Sequence, residues 1–172
     1  GYRVTVVDAA DAVGGKARSV LVDGQPIDAG PTVMTMRWVF DHLLSRVGAQ
    51  FDDHVELRPL DVLARHRWVD GSSLDLYADF ERSVAAIAEF AGKTEAAAYR
   101  RFLVYAQQIH DTVKGPFIEG QKPTLWSILR EHGLGALPMA LRIDGFRSMW
   151  RALGAYFSDH RLQQLFGRYA TY

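Results

Sequence analysis

The chain has 172 residues, of which 48% are hydrophobic and 23% charged, a composition typical of one or two globular domains. Its formal net charge is zero, so the chain lacks the basic field that nucleic-acid-binding proteins require. The absence of cysteine excludes a disulfide framework and a thiolate metal site, and no apolar run approaches the roughly 20 residues of a membrane-spanning helix.

The first part of the chain has the patterns of strands and one helix. The β-branched run at residues 4–7 suits a strand buried on both faces of a parallel sheet. Asp23-Gly24 predicts a hairpin turn between strands at 18–22 and 25–28, because both turn positions tolerate positive φ. Residues 37–47 have the apolar spacing of an amphipathic helix, and Gly48 stands just past its end.

Residues 55–77 alternate between apolar and polar side chains. Strands are predicted at 55–60 and 63–69. The turn signal Asp70-Gly71 leads from the second of these into a third strand at 73–77. Together these segments predict a β-meander.

From Asp79 onward the pattern changes to helices. They are predicted over residues 80–91, 94–114, 124–131, 145–157 and 160–170. Residues suited to N-caps precede or open four of them: Asp79, Thr94, Asp144 and Asp159. Gly92 predicts the end of the first helix. The sequence therefore predicts an α/β scaffold over residues 1–78 and a helical domain over residues 79–172.

An acidic residue, Asp8, ends the first predicted strand. In a dinucleotide-binding fold, an acid at this position accepts hydrogen bonds from a ribose 2′-hydroxyl and follows a glycine-rich pyrophosphate loop by about 20 residues. That loop would have to precede Gly1. Taken alone, Asp8 is equally well interpreted as an ordinary acid at a strand end.

Two glycine-containing motifs follow Asp8. Gly14-Gly15 allows a tight turn that approaches a bulky anion, while Lys16 adds a cation and Arg18 a second one. In the segment from Asp28 to Thr32, Gly30 leaves room for a flat ring, and Pro31 fixes the local φ. Taken alone, the first motif is also explained as a surface turn. The second is also explained as a strand-to-helix turn capped by Thr32 or Thr35. Their order and spacing after Asp8 predict a dinucleotide site.

Seven segments together resemble the flavin-dependent carotenoid desaturases of the phytoene desaturase type, within the amine-oxidase-like flavoproteins. The likeness is nearest to the hydroxyneurosporene and methoxyneurosporene dehydrogenase branch, and it spans nearly the whole chain. The segments that carry it are VTVVD at 4–8, GGK at 14–16, DAGPT at 28–32, MRWVF at 36–40, HRWVDGS at 66–72, LDLYAD at 74–79 and LQQLFGRYATY at 162–172.

The resemblance implies FAD as the cofactor and a fold in two parts. Residues 1–78 would form a partial Rossmann-like FAD-binding domain with a β-meander, and residues 79–172 a mostly helical substrate-binding domain, with 168–172 leading back towards the flavin. The implied contacts are Asp8 to the adenosine ribose; Gly14, Gly15 and Lys16 along the pyrophosphate and ribityl chain; and Gly30, Pro31 and Thr32 at the isoalloxazine.

The implied activity is desaturation of acyclic carotenoids, in which the flavin accepts a hydride and the protein supplies orientation and a dry cavity. An apolar tunnel cannot be distinguished from core by composition. No catalytic residue is assigned: Arg130 matches a polar family position, but Ser127 stands where an acid is expected. The implied partner is an apolar carotenoid. The implied location is the cytoplasm, with peripheral contact at the inner membrane of a bacterium.

Two parts of the family pattern fall outside residues 1–172: the glycine-rich loop, and the carboxy-terminal segment that completes the flavin site. We therefore expect the chain to be an internal fragment that alone binds no flavin and has no activity. Two alternatives remain open: a related flavoenzyme acting on an amine or a porphyrinogen, and a noncatalytic module that binds a hydrophobic ligand or a partner.

The remaining candidate residues are interpreted as structural rather than functional. The six histidines have no zinc-like spacing, so no metal site is predicted. The aromatic stripe of Tyr99, Phe102 and Tyr105 is typical of core rather than of a substrate wall. The apolar residues 133–141 are interpreted as an internal helix joint, with a patch that dips into a membrane as the alternative.

Overall fold

The computed structural model describes residues 2–31, 34–119 and 143–171 and separates into two compact units, Gly1–Arg58 and Pro59–Tyr172. It is a mixed α/β structure with small antiparallel sheets and helices. The units divide between Arg58 and Pro59, whereas the sequence places a domain boundary near Asp79. As a statement about the domains of a larger protein, that boundary stays a prediction. The helix predicted at 124–131 and the apolar residues 133–141 lie outside the described residues.

The first unit contains one hairpin and one helix. Strands β1 (Ser19–Val22) and β2 (Gln25–Asp28) pair antiparallel, with Val20 opposite Ile27. Asp23 and Gly24 have φ values of 50° and 78°, so the predicted turn is confirmed. Helix α1 (Arg37–Ser45) is followed by Gly48 at φ 74°, and a 3₁₀ turn covers Phe51–Asp53.

Two strands predicted from local pattern are wrong for this chain. Residues 2–8 form no strand, and Val4, Val6 and Val7 are each more than three-quarters exposed. A strand requires a neighbour to complete its hydrogen bonds, and no strand in the described part of the chain lies beside this segment. Residues 55–60 also form no strand, so the predicted meander is reduced to a two-stranded hairpin.

The first unit buries little apolar surface. Among its described residues, Phe51 is the one buried apolar side chain, packed 5.9 Å from the ring of Phe40. Most of the predicted apolar face of α1 is exposed, including Phe40 and Leu43. This unit is therefore held by its turns and backbone hydrogen bonds more than by a core.

The second unit begins with a second hairpin. Strands β3 (Val62–Arg67) and β4 (Ser73–Tyr77) pair antiparallel, with Arg65 opposite Asp75 and His66 opposite Leu74. The Asp70 carboxylate accepts hydrogen bonds from the Ser72 backbone N–H at 2.8 Å and from its hydroxyl at 2.6 Å. Side-chain bonds of this kind fix the turn that Asp70-Gly71 predicted.

Helices α2 (Phe80–Ala91) and α3 (Lys93–Val113) follow the hairpin and are joined by Gly92 alone. The Asp79 side chain accepts a hydrogen bond from the Arg82 N–H at 2.7 Å, and Gly92 has φ 95°, which confirms both predicted ends of α2. The predicted cap at Thr94 is wrong, because α3 starts one residue earlier and the Gly92 carbonyl accepts from the Ala96 N–H at 3.2 Å. A π-helical turn, Lys114–Glu119, continues from α3.

Helices α4 (Met149–Tyr156) and α5 (His160–Gly167) form the last part of the second unit, followed by a 3₁₀ turn, Arg168–Thr171. Asp159 caps α5 as predicted. The cap predicted at Asp144 is wrong, since Ser148 caps α4. Asp144 instead accepts a hydrogen bond from the Tyr105 hydroxyl at 2.6 Å, which draws its carboxylate towards α3.

The hydrophobic core of the second unit lies between the β3–β4 hairpin and helices α2 to α5. Its buried side chains are Leu74, Leu76, Val84, Ile87, Ala96, Ala98, Tyr99, Phe102, Leu153, Phe157, Leu162, Leu165 and Phe166. Buried Glu95 accepts hydrogen bonds from the backbone N–H groups of Ser158 and Asp159, at 3.0 and 3.3 Å. This carboxylate therefore ties the start of α3 to the start of α5.

Candidate functional site

The first glycine motif forms a tight turn in the first unit. The Ala17 N–H donates to the Gly14 carbonyl at 3.0 Å, and Gly14 and Gly15 have φ values of 128° and 59°. A Cβ atom on Gly14 would lie 2.6 Å from the Ala17 oxygen. Glycine is therefore needed at Gly14 for steric as well as conformational reasons.

The second glycine motif lies directly against the first. The β1–β2 hairpin brings the two segments side by side, and the Ala29 N–H donates to the Arg18 carbonyl at 2.8 Å. A Cβ atom on Gly30 would lie 2.4 Å from the Lys16 carbonyl oxygen and 2.9 Å from the Ala17 Cα. Gly30 thus allows two backbone segments to touch. The predicted role of Gly30 in contacting a flat ring stays a prediction.

Two neighbouring cavities open where these motifs meet. One, of about 320 Å³, is lined by Gly15, Lys16, Arg18, Ala29, Gly30 and Pro31. The other, of about 300 Å³, is lined by Ala17, Arg18, Ser19, Asp28, Gly30 and Pro31. Arg18, Gly30 and Pro31 belong to both, so the cavities form two parts of one surface.

The charges at these cavities suit an anion. Lys16 and Arg18 carry positive charge and form no ion pair with any residue that the structure describes. Asp28 is the single carboxylate among the residues that line the two cavities. One of its oxygens accepts a hydrogen bond from the Ser19 hydroxyl at 2.9 Å. Exposed backbone at Gly15 beside two cations fits the phosphate part of a dinucleotide.

The remaining predicted site residues are not brought to these cavities. Asp8 is exposed, its carboxylate accepts a hydrogen bond from the Ala10 N–H at 2.8 Å, and it does not line either cavity. Thr32 lies outside the described residues. The roles assigned to Asp8 and Thr32 stay predictions.

Sequence reasoning missed Ser19 and Asp28 as cavity residues. The signal that would have found them is the hairpin register, which places Ser19 directly opposite Asp28. Once the Asp23-Gly24 turn is recognised, that pairing follows from counting outward along both strands.

The second unit contains a separate cavity of about 430 Å³, lined by Arg65, Arg67, Ser73, Leu74, Asp75, Tyr77, Ala86, Glu89 and Phe90. Arg65 donates two hydrogen bonds to the Asp75 carboxylate, each 2.8 Å long. These bonds hold the pKa of Asp75 below its ordinary value and raise the pKa of Arg65. The charged lining does not suit an apolar substrate.

The aromatic stripe of α3 is part of the core, as predicted. Tyr99 and Phe102 are buried and pack on Phe166 with ring centroids 5.6 and 5.2 Å apart, and Tyr105 packs on Tyr156 at 5.4 Å. In the part of the chain that the structure describes, no three metal-ligating side chains come together. Within the same residues, no helix has the length and apolar character needed to span a membrane.

Comparison with known proteins gives one family match and several close relatives. The model of the flavin-containing amine oxidoreductase family matches residues 1–168. Hydroxyneurosporene desaturase of Rubrivivax gelatinosus is 49% identical over 173 residues, a match that covers 100% of this chain and 33% of the relative.

Two further relatives extend the comparison. Hydroxyneurosporene desaturase of Rhodobacter capsulatus is 47% identical, with 100% of this chain and 35% of the relative covered. Phytoene dehydrogenase of Streptomyces griseus is 33% identical, with 100% of this chain and 33% of the relative covered. The chain spans about a third of the length of the curated relatives it matches.

Proposed function

The chain belongs to the family of flavin-containing amine oxidoreductases, and from this membership we propose that it is part of an FAD-dependent desaturase of acyclic carotenoids. The relatives named hydroxyneurosporene desaturase and phytoene dehydrogenase support this choice of substrate class. The structural observation that carries the proposal is the contact between the two glycine motifs at one cation-lined surface.

Different residues would bind different parts of the cofactor. Lys16 and Arg18 offset the charge of the pyrophosphate, and the bare backbone at Gly15 lets the phosphates approach closely. Gly30, Pro31 and Thr32 would contact the isoalloxazine, and Asp8, which lies outside the two cavities, would bind the adenosine ribose. When bound, the flavin supplies the hydride acceptor for the desaturation.

The proposed domain organisation explains the exposed apolar residues of the first unit. We assign residues 1–78 to a partial Rossmann-like FAD-binding domain and residues 79–172 to a helical substrate-binding domain. In that arrangement, Val4, Val6 and Val7 are covered by other parts of a longer polypeptide. The exposure of all three valines supports this assignment, since a β-branched run is rarely left in water.

Contact with a membrane surface is part of the proposal, because an acyclic carotenoid dissolves in lipid rather than in water. Phe146, three residues before α4, is 91% exposed; at the start of α4, Trp150 is 54% exposed and Met149 is also exposed. Aromatic side chains of this kind insert into the boundary between lipid headgroups and acyl chains. We propose that the protein is cytoplasmic and touches the inner membrane peripherally through these residues.

The membrane contact is tested by sedimenting the full-length protein with phospholipid vesicles. Phe146→Ser should reduce the bound fraction, because it removes an apolar ring from the contact. Val104→Ser, at an exposed position on α3, is the matched control and should bind as the wild type does. Equal binding by the wild type and both variants would remove Phe146 from the contact.

The activity is tested with the full-length protein, FAD and a quinone, supplied in turn with acyclic carotenoids and with amines. Desaturation lengthens the conjugated polyene, so the carotenoid absorption should shift to longer wavelength. Hydrogen peroxide released from an amine, without a polyene shift, would instead assign the protein to amine oxidation. Lack of turnover and of flavin binding would favour a noncatalytic module.

A further inference from the structure

His66 links the β3–β4 hairpin to the end of α5 within the second unit. Its Nδ1 atom lies 3.4 Å from the Arg168 guanidinium Nη1, across 102 positions of sequence. Its ring is 6.2 Å from that of Trp68, which directly follows the end of β3. The Trp68 indole N–H in turn donates to the Gln164 side-chain oxygen at 3.1 Å. Two adjacent contacts therefore join the β3–β4 hairpin to α5 and to the turn that follows it.

The contact with Arg168 indicates which ring nitrogen of His66 accepts a hydrogen bond. A guanidinium donates hydrogen bonds and accepts none, so Nδ1 must be the accepting nitrogen. The proton of the neutral ring is then on Nε2. That atom is buried without a hydrogen-bond partner in the described structure. The site thus accommodates a neutral imidazole and offers no acceptor to an imidazolium.

The charged groups around His66 come from two other elements. Arg168, which follows α5, opposes a positive charge on the ring, whereas Asp75 on β4 favours one. Asp75 is engaged by two hydrogen bonds from Arg65. Burial is the largest influence, followed by Arg168, and together they lower the pKa of His66 from its ordinary value of 6.5.

We propose that His66 is a pH-sensitive latch for the turn Arg168–Thr171. The neutral ring accepts a hydrogen bond from Arg168 and holds this turn against β3. Protonation at Nδ1 removes the acceptor and sets two positive charges side by side, so the turn is released. The Trp68–Gln164 contact is uncharged and stays formed, which confines the change to residues after Gly167.

The direction of the pH dependence follows from the lowered pKa of His66. The unfolded chain binds a proton more readily than the folded one, so folded-state stability rises with pH across the interval between the two pKa values. The contribution of the latch is fully present above the ordinary value of 6.5 and is lost as the pH falls below it. A guanidinium stays charged throughout this range.

Hydrogen exchange of the full-length protein, followed by mass spectrometry and corrected for the intrinsic pH dependence of exchange, tests the latch. Amides of Arg168–Thr171 should lose protection severalfold on acidification through the histidine range, while amides of α2 keep theirs. His66→Asn places a non-titrating amide oxygen near the same point and should remove the pH dependence. His110→Asn, at an exposed histidine of α3, should behave as the wild type.

A second measurement uses the wild-type protein and therefore does not depend on whether His66→Asn folds. Nuclear magnetic resonance of the wild-type protein should show the His66 ring titrating below 6.5. A midpoint at or above that value would overturn the proposal. Protection of Arg168–Thr171 that is independent of pH in the wild type, or a pH dependence that survives in a folded His66→Asn variant, would also overturn it.

Discussion

Replacing Gly30 with alanine tests the contact between the two glycine motifs. The added Cβ atom would lie 2.4 Å from the Lys16 carbonyl oxygen, 2.9 Å from the Ala17 Cα and 3.2 Å from the Arg18 nitrogen. All three neighbours are backbone atoms, so no side-chain rotation relieves the overlap. The segments must separate by about 0.6 Å for the shortest contact to reach even 3.0 Å.

The size of the effect follows from the cost of overpacking. Forcing extra atoms into a filled space costs about 1–3 kcal/mol. If flavin binding must restore the original contact, that energy weakens flavin affinity by about fivefold to about 150-fold, since about 1.4 kcal/mol corresponds to a tenfold change. We expect Gly30→Ala to fall in this range because Lys16 and Arg18 move with the backbone that is displaced.

The assay is flavin titration of the full-length protein, with the unfolding midpoint recorded in parallel. Gly24→Ala is the matched control, because Gly24 has φ 78° and no atom near its Cβ position. That variant incurs only the left-handed conformational cost of about 1–2 kcal/mol, away from the cavities. Our reasoning is refuted if Gly30→Ala binds flavin with wild-type affinity, or if Gly24→Ala loses as much affinity.

Three further substitutions test the packing of the second unit by urea denaturation. Asp79→Ala removes the cap of α2 and should lower the free energy of unfolding by about 1 kcal/mol, whereas Asp79→Asn retains an acceptor; equal losses would contradict the capping role. Ile87→Ala empties a fully buried position and should cost about 2–5 kcal/mol, compared with about 0.5 kcal/mol or less for exposed Val104→Ala. Glu95→Ala leaves two backbone N–H groups at the start of α5 without an acceptor and should cost about 1.5–3 kcal/mol, whereas Glu95→Gln keeps an acceptor oxygen and should cost less; equal losses would show that the carboxylate charge, not hydrogen bonding, is what matters.

Local signals in the sequence were sufficient for the turns and for α2. Asp23-Gly24 and Asp70-Gly71 fix their turns through backbone conformations and short-range bonds, so no distant residue was needed to predict them. Asp79 and Gly92 likewise set both ends of α2. These features depend on residues within a few positions of each other.

Strands at residues 4–7 and 55–60 could not be settled from local pattern. A β-branched run indicates that a segment is suited to a sheet, but pairing depends on partners elsewhere in the polypeptide. The misplaced cap at Asp144 has a similar cause. Its carboxylate accepts a hydrogen bond from Tyr105, 39 positions away, and that competitor is invisible in the sequence around α4.

The sequence predicted the two glycine motifs of the candidate site but not the contact between them. The glycine motifs were recognised separately, and the hairpin between them explains why they meet, since Arg18 and Ala29 bond to each other at its open end. The His66–Arg168 contact had no comparable signal. It joins residues 102 positions apart through the packing of the second unit.

The uneven burial of apolar side chains has a consequence during synthesis. In the described structure, Phe51 alone is a buried apolar residue of Gly1–Arg58, whereas Pro59–Tyr172 contains a full core. The segment that leaves the ribosome earlier is thus the one less able to fold by itself. Its exposed valines make the newly synthesised segment prone to aggregation and a natural client for chaperones.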